Sequence, residues 1–513
     1  MRLRFLRHAF LAAALALVPA CQEQGGAAPQ VQLVTTSCAG TSPLEGVTHL
    51  RLKVTGEGLS GPIERVTPVL LQPEDIPAVP AGPRRMLEVR GYTGEPTSAG
   101  RVVSVGRSGP FDMPESGAPE APVRVILRRV ETFVPVEDAQ QPGNCLGLTE
   151  ERAGHTATLL EDGRVLLAGG FRISEEGAVE TLASIEILDP MARTFTFVPD
   201  PGGDAARRAF HTAARTIDGR VALMGGETQS GTASTPLRSV AVFNPATREV
   251  QRFEMAQARS RHASAIDISG RGLVVGGVGE GGAVVTNPEG VDPAAGRSFP
   301  VPTPVPRTGV SVTVLADGQR MAVVGGSDGA QVSREVQVFA FNGTTFAPTP
   351  ESQLLRQGRR NAATALYDDG KRLLVTGGYM DAVPTTEGIT RPVAVSEILN
   401  LEAGSTSASV GPSIVGRGDL CAVSLPEGRV FTVGGQRPGE GGLVSTGLAE
   451  LITPTQNVTG GVLGMSPVEP PRSLHTCTAL PDGSVLVTGG LDNNGGSTRV
   501  APGAFIFMPV PRD

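Results

Sequence analysis

Seven arginines recur at one slot. Arg152, Arg208, Arg259, Arg307, Arg359, Arg417 and Arg472 each stand eleven residues before the glycine of a short turn. A guanidinium carries a permanent charge and a planar fork of donors, which suits it to carboxylates, phosphates and clustered carbonyls. Two roles are open for the set. Each arginine can clamp loop carbonyls or a carboxylate of the next repeat unit. Together they can instead form an electropositive ring that receives an acidic ligand. Three positions after four of them come His155, His211, His262 and His475; the remaining units carry Val310, Ala362 and Leu420. Imidazole is a common metal ligand. Equivalent positions on separate units are too far apart to share an ion, so packed, hydrogen-bonded histidines are expected and no metal is assigned. No residue set is assigned to catalysis, and no cofactor.

The elements that carry these residues form a repeat. Gly pairs stand at Gly169/Gly170, Gly225/Gly226, Gly276/Gly277, Gly325/Gly326, Gly377/Gly378, Gly434/Gly435 and Gly489/Gly490, spaced 49 to 57 residues apart. A period near fifty signals stacked supersecondary units that bury a core only against one another. Ahead of each pair, two apolar runs flank a turn. The turns are Asp162-Gly163, Asp218-Gly219, Ser269-Gly270, Asp317-Gly318, Asp369-Gly370, Glu427-Gly428 and Asp482-Gly483. Asp-Gly between apolar runs is a strong hairpin signal. A second hairpin follows, with turns such as Asp189-Pro190, Asn244-Pro245 and Asn342-Gly343. Four antiparallel strands per unit, a to d, repeated seven times, predict an all-β protein built on a seven-bladed β-propeller, whose closure protects the sheet edges. The last unit runs out of chain after Ala504–Pro509. Thr132–Val136 matches the fourth strand of unit one, Phe195–Pro199, so it is expected to complete the last blade.

The double Gly, the apolar strand before it and an aromatic after the second turn resemble the kelch repeat family over residues 131–513. Trp is absent, and Phe195, Phe253, Phe299 and Phe346 occupy the aromatic slot. The resemblance extends to galactose-oxidase-like proteins, which pair a sandwich with a seven-bladed kelch propeller and hold copper with two Tyr and two His. Only Tyr92, Tyr367 and Tyr379 are available here, and they form no such set with the histidines. A surface or secreted enzyme of that type is the alternative to a binding module.

Residues 36–130 differ in texture. β-rich runs at Thr48–Val54, Val66–Leu71, Arg85–Arg90, Val102–Val105 and Val123–Leu127 predict a small β-sandwich, of immunoglobulin-like class. The chain opens with Arg2, Arg4 and Arg7 ahead of an apolar Ala9–Val18, a signal-peptide pattern too short to span a bilayer. Val18-Pro19-Ala20-Cys21 resembles the bacterial lipoprotein box. It implies a signal over residues 1–20, a lipidated Cys21 and a mature protein held on a membrane. Gln22 in place of Asp favours the outer membrane or cell surface. Residues 21–35 read as a flexible tether. Four cysteines remain in an exported context, where disulfides persist. Cys421 and Cys477 fall on innermost strands of adjacent units with opposite facing, which favours Cys421–Cys477 and leaves Cys38–Cys145. A net charge of −7 argues against nonspecific nucleic-acid binding. The expectation is a monomeric, lipid-anchored module that binds protein or glycan on the loop-rich propeller face.

Overall fold

The structure is a computed structural model. It describes residues 26–35, 38, 40–96, 100–202, 207–230, 233–382, 390–402, 405–440, 442–454, 460–494 and 497–512. Residues 1–25, on which the expected signal peptide, the expected lipidation at Cys21 and the first part of the expected tether fall, lie outside the described residues. Among the described residues no helix is long and apolar enough to cross a membrane.

The first seven strands are β1 (Val31–Thr35), β2 (His49–Thr55), β3 (Ile63–Pro68), β4 (Gly82–Tyr92), β5 (Val102–Arg107), β6 (Phe111–Met113) and β7 (Val123–Arg129). They form one hydrogen-bonded sheet in the order β1-β7-β5-β4-β2-β3, with β6 on β4. Leu50, Leu52 and Val54 alternate with Arg51 and Lys53, so one face of β2 is apolar. That face and Leu87 and Val89 of β4 share a core with Val123, Val125 and Leu127 of β7. Strands three places apart in the sheet meet across this core, so the sheet curls over it. The tether ends earlier than expected over 21–35. Val31–Thr35 runs parallel to Val123–Leu127, and Val31 and Leu33 pack on the core. Alternating apolar residues in a β-prone run outweigh the Gly/Ala-rich lead-in.

Seven antiparallel blades follow, six of four strands and one, blade 4, in which Gln353–Leu354 adds a fifth beside strand c. In blade 1, strands a to d are Thr156–Leu159, Val165–Ala168, Ile185–Asp189 and Thr194–Val198. Strand b is buried on both faces and therefore reads as a continuous apolar run, Val-Leu-Leu-Ala. Blade faces bury one another: Leu166 and Ile187 of blade 1 share a core with Leu223 and Phe243 of blade 2. The double Gly follows from the close approach of blades. Gly276 has φ +64°, and a Cβ there would overlap the Arg307 carbonyl of blade 4. The second glycine donates across the same seam: Gly226 N–H meets Arg259 O at 2.8 Å, and Gly490 N–H meets Arg152 O at 2.9 Å, joining blade 7 back to blade 1.

Blade 7 takes its outer strand from the N-terminal side. β8 (Phe133–Pro135) pairs antiparallel with Phe505–Phe507. The Phe133 ring lies 5.0 Å from Phe507 and 6.2 Å from Phe431 of blade 6. Phe133→Ala is expected to lower the unfolding free energy by about 2 kcal/mol, less than for a fully buried Phe, because the ring is half-buried. A urea titration reads this as an earlier midpoint at unchanged slope; an unmoved midpoint would mean the closing strand is held by its backbone bonds alone. Both disulfides form: Cys421–Cys477 joins the a strands of blades 6 and 7, and Cys38–Cys145 ties the chain near β1 to the linker before blade 1. The N-terminal sheet meets the a–b turn of blade 7, where Arg128 pairs with Asp482 at 2.6 Å and Arg107 donates to the Asp482 carbonyl at 3.2 Å. This is the end of the ring opposite the Gly pairs.

Candidate functional site

The seven arginines are consumed inside their own blades. Each donates to the carbonyl of the first glycine of its Gly pair: Arg152 to Gly169, Arg208 to Gly225, Arg259 to Gly276, Arg307 to Gly325, Arg359 to Gly377, Arg417 to Gly434 and Arg472 to Gly489, at 2.7–3.2 Å. In four blades a glutamate at one equivalent strand-c position completes the clamp; in blade 4 Arg307 lies 3.5 Å from another strand-c glutamate, Glu335. Arg152 meets Glu186, Arg259 meets Glu289, Arg359 meets Glu397 and Arg417 meets Glu450, at 2.5–2.8 Å. The carboxylate belongs to the same blade, not to the next one as the sequence suggested, because strands a and c flank strand b with the same facing. Each glutamate also accepts from the loop entering its blade, as Glu289 does from the Ala256 and Gln257 N–H groups at 2.6 and 3.0 Å. The equivalent positions in blades 2, 4 and 7 are Ala241, Gln337 and Phe505. Burial lowers Arg208 and Arg472 to about 10. All seven side chains are buried, with at most 4% exposure, so none of them reaches a ligand on the propeller face.

The four histidines lie between blades. Nε2 of His211 meets Thr156 at 2.8 Å, that of His262 meets Thr212 at 2.9 Å, and that of His155 meets Thr488 at 3.0 Å. Burial, and then the neighbouring arginine, hold their pKa values far below the usual range, to about 3 for His262 and His475. They are neutral packing groups. Among the described residues no three His, Cys, Asp or Glu side chains converge to hold a metal ion.

Between each arginine and its strand stands a residue that the sequence reading passed over. These are Gly154, Phe210, Arg261, Gly309, Asn361, Asp419 and Leu474, and every one has φ between +51° and +64°. They form the rim of the central channel on the Gly-pair face. A chain of backbone bonds runs round the rim. Gly154 donates to Leu474, Phe210 to Gly154, Arg261 to Phe210, Asn361 to Gly309 and Asp419 to Asn361, at 2.8–3.2 Å. The left-handed backbone that these bonds impose is uncommon for non-glycine residues and costs free energy for Phe, Arg and Leu. Gly154 and Gly309 carry no side chain; the other five residues line the channel mouth. A cavity of about 470 Å³ opens there, lined by Phe210, Arg261, Arg360, Asn361, Asp419 and Leu474 among others.

The polar residues of this mouth are linked. Asn361 Nδ2 donates to Asp419 Oδ1 at 2.6 Å, and the Tyr379 hydroxyl donates to Asp419 Oδ2 at 3.1 Å. Burial raises the Asp419 carboxyl, with these two bonds and then Arg360 and Arg261 opposing it. Burial, and then the Asp419 charge, push the Tyr379 hydroxyl up. The Arg360 guanidinium stacks 5.0 Å from the Tyr379 ring centre, and its Nε donates to the Asp381 carbonyl at 2.6 Å. Arg261 lies 3.5 Å over the Phe210 ring and 3.3 Å from Glu227.

Four of the loops after the Gly pairs fold into two-stranded ribbons: Phe171–Ile173 with Val179–Thr181, Glu227–Ser230 with Ala233–Pro236, Gln436–Gly439 with Gly442–Ser445, and Leu491–Asp492 with Arg499–Val500. They stand on blades 1, 2, 6 and 7, which are consecutive round the ring. They bond to one another, as Gln229 N–H does to Thr181 Oγ1 at 2.8 Å and Ser445 N–H to Asn493 Oδ1 at 2.6 Å. The mouth is thus walled along one arc. Of the loop 379–392, which follows the Gly pair of blade 5, residues 383–389 lie outside the described residues.

No family model matches the chain, and no curated protein matches it. Among solved structures it is similar to a fungal alcohol oxidase of the AA5 family in complex with copper. Identity is 17% and the TM-score 0.54, over 74% of this chain and 77% of that one. It is also similar to YjhT, at 14% identity and a TM-score of 0.45, over 62% of this chain and 99% of that one. The first likeness is one of fold. The donor groups that copper needs are not assembled here. Three histidines spend Nε2 on hydroxyls, and all four are buried between blades. Tyr379 is bonded to Asp419, Tyr367 ends strand a of blade 5 at the far, a–b end, and Tyr92 belongs to the N-terminal sheet.

Proposed function

We propose that this chain is a lipid-anchored binding module of the bacterial cell envelope, which takes a protein or glycan ligand at the mouth of its propeller. One observation carries the binding half. The arginines that repeat in every blade are buried and spent on the fold, while the rim position two residues after them, which varies among the blades, borders an open cavity with Arg261, Asn361 and Asp419. Strained, non-glycine left-handed residues concentrate at ligand sites, and loops on a rigid scaffold are where binding resides. The anchoring half is supported by Val18-Pro19-Ala20-Cys21, and Gln22 after it favours the outer membrane or cell surface.

Cys21→Ser is expected to move the protein from the membrane to the soluble fraction of expressing cells. A mutant that stays with the membrane, with a mature N-terminus other than residue 21, would refute the anchor. For the mouth, the anchored protein captures its ligand from envelope extract, and Asn361→Ala/Asp419→Ala loses that capture while still unfolding as one cooperative unit. Capture that survives the double substitution places the ligand elsewhere.

A second reading, a copper oxidase, draws on the fold shared with the AA5 alcohol oxidase. Its weakness is the missing donor set. Metal analysis of the purified protein separates the two: stoichiometric copper with a visible absorption band would favour the oxidase.

A further inference from the structure

We infer that the ligand of the mouth carries a carboxylate, and that it is a sugar acid seated with its acid group between Arg261 and Arg360. This rests on the mouth being the binding site.

Three features of the mouth lead there. First, both guanidiniums are held flat by an aromatic ring, Arg261 by Phe210 and Arg360 by Tyr379. A stacked guanidinium is pre-oriented, and its edge stays free for bidentate bonding to a carboxylate. Second, Arg360 makes no ion pair among the described residues, and its Nη2 is buried without a partner. A buried donor left unmet is costly, and a ligand oxygen would meet it. Arg261 is held to Glu227 only at 3.3 Å. Third, the part of the rim beside Arg360 suits hydroxyls: Tyr379 both stacks on Arg360 and bonds Asp419. Each Asp419 oxygen accepts one bond from the protein and keeps a further lone pair, and the Asn361 amide oxygen lies close against Gly309. A carboxylate beside an amide accepts from and donates to neighbouring hydroxyls. A cavity of about 470 Å³ falls in the range that small ligands occupy.

The test is calorimetric titration of the mature protein with oligogalacturonate, oligoglucuronate and oligoalginate, each beside its carboxyl-reduced neutral counterpart. At least one acidic oligosaccharide is expected to bind, with its neutral counterpart about tenfold weaker or more, the loss expected when a desolvated charge pair is broken. Arg360→Gln is expected to cost the same factor without shifting the melting temperature, and Arg261→Gln to do likewise. Equal affinity for acidic and neutral forms, with Arg360→Gln silent, would overturn the acid-group inference and leave the mouth as a binding site. Affinity that Asn361→Ala/Asp419→Ala also leaves untouched would overturn both. If none of the sugars binds while a protein ligand is captured at the mouth, the sugar-acid inference fails and the binding reading stands.

Discussion

Replacing Cys421 and Cys477 together by alanine lowers the unfolding free energy by about 4 kcal/mol. The bridge spans a sequence separation of 56 residues, and a cross-link of that span removes about that much chain entropy from the unfolded state. The location adds a second term that can be read separately. On strand a, Thr156 and Thr212 give His211 and His262 their hydroxyl partners, and Thr476 lies 3.2 Å from His155. In blade 6 the same position holds Cys421. Its sulfur is committed to the bridge, and both nitrogens of His475 lack a partner. Cys421→Thr/Cys477→Ala returns the hydroxyl. It is expected to be about 1 kcal/mol more stable than the double alanine variant, the worth of one hydrogen bond. Urea titrations of the three proteins give both numbers. Equal stability of the two variants would show that His475 does not use a hydroxyl there.

Arg259→Leu is expected to cost about 3–5 kcal/mol, because it leaves Glu289 buried without its countercharge. The arginine is fully buried and 2.8 Å from that carboxylate. Glu289→Ala is expected to cost at least as much, since it also strips the Ala256 and Gln257 N–H groups of their acceptor. Blade 2 supplies an internal control. Arg208 stands in the same slot, but the strand-c position opposite is Ala241. Arg208→Leu therefore leaves no strand-c carboxylate behind and is expected to cost about 1–3 kcal/mol through unmet carbonyls. Thermal and urea unfolding of the Leu variants decides the matter: equal losses would mean that the carbonyl bonds, and not the ion pair, carry the clamp.

The architecture is legible in the chain because its causes are local and repeated. Asp-Gly turns, doubly buried b strands and Gly pairs obey rules of φ, period and close approach that act within a few residues, and seven copies of one pattern leave little freedom for the fold. Ring closure is legible for the same reason, since Phe133–Pro135 repeats the pattern of a d strand already seen. The folding of Val31–Thr35 into the sheet is not, because its partner, Val123–Leu127, is distant in sequence.

The candidate site divides along a similar line. Recurrence draws attention to the arginines and histidines, yet recurrence marks what every blade needs to stand, and the structure puts those residues inside. The mouth is built from the position between them, where Gly154, Phe210, Arg261, Gly309, Asn361, Asp419 and Leu474 share nothing but a backbone conformation. A signal was present in that contrast: two places after an arginine kept in all seven units, the residue varies from unit to unit. Which of those side chains meet was beyond the sequence. Asn361 and Asp419 are 58 residues apart, and Tyr379 reaches Asp419 from another loop. Only closure of the ring brings one residue from each blade to a common rim. By itself the sequence determined the blades, their number and the glycines that let them touch. The tertiary structure decided which residues face a ligand, because facing the channel is a property of seven blades closed into a circle and of no single blade.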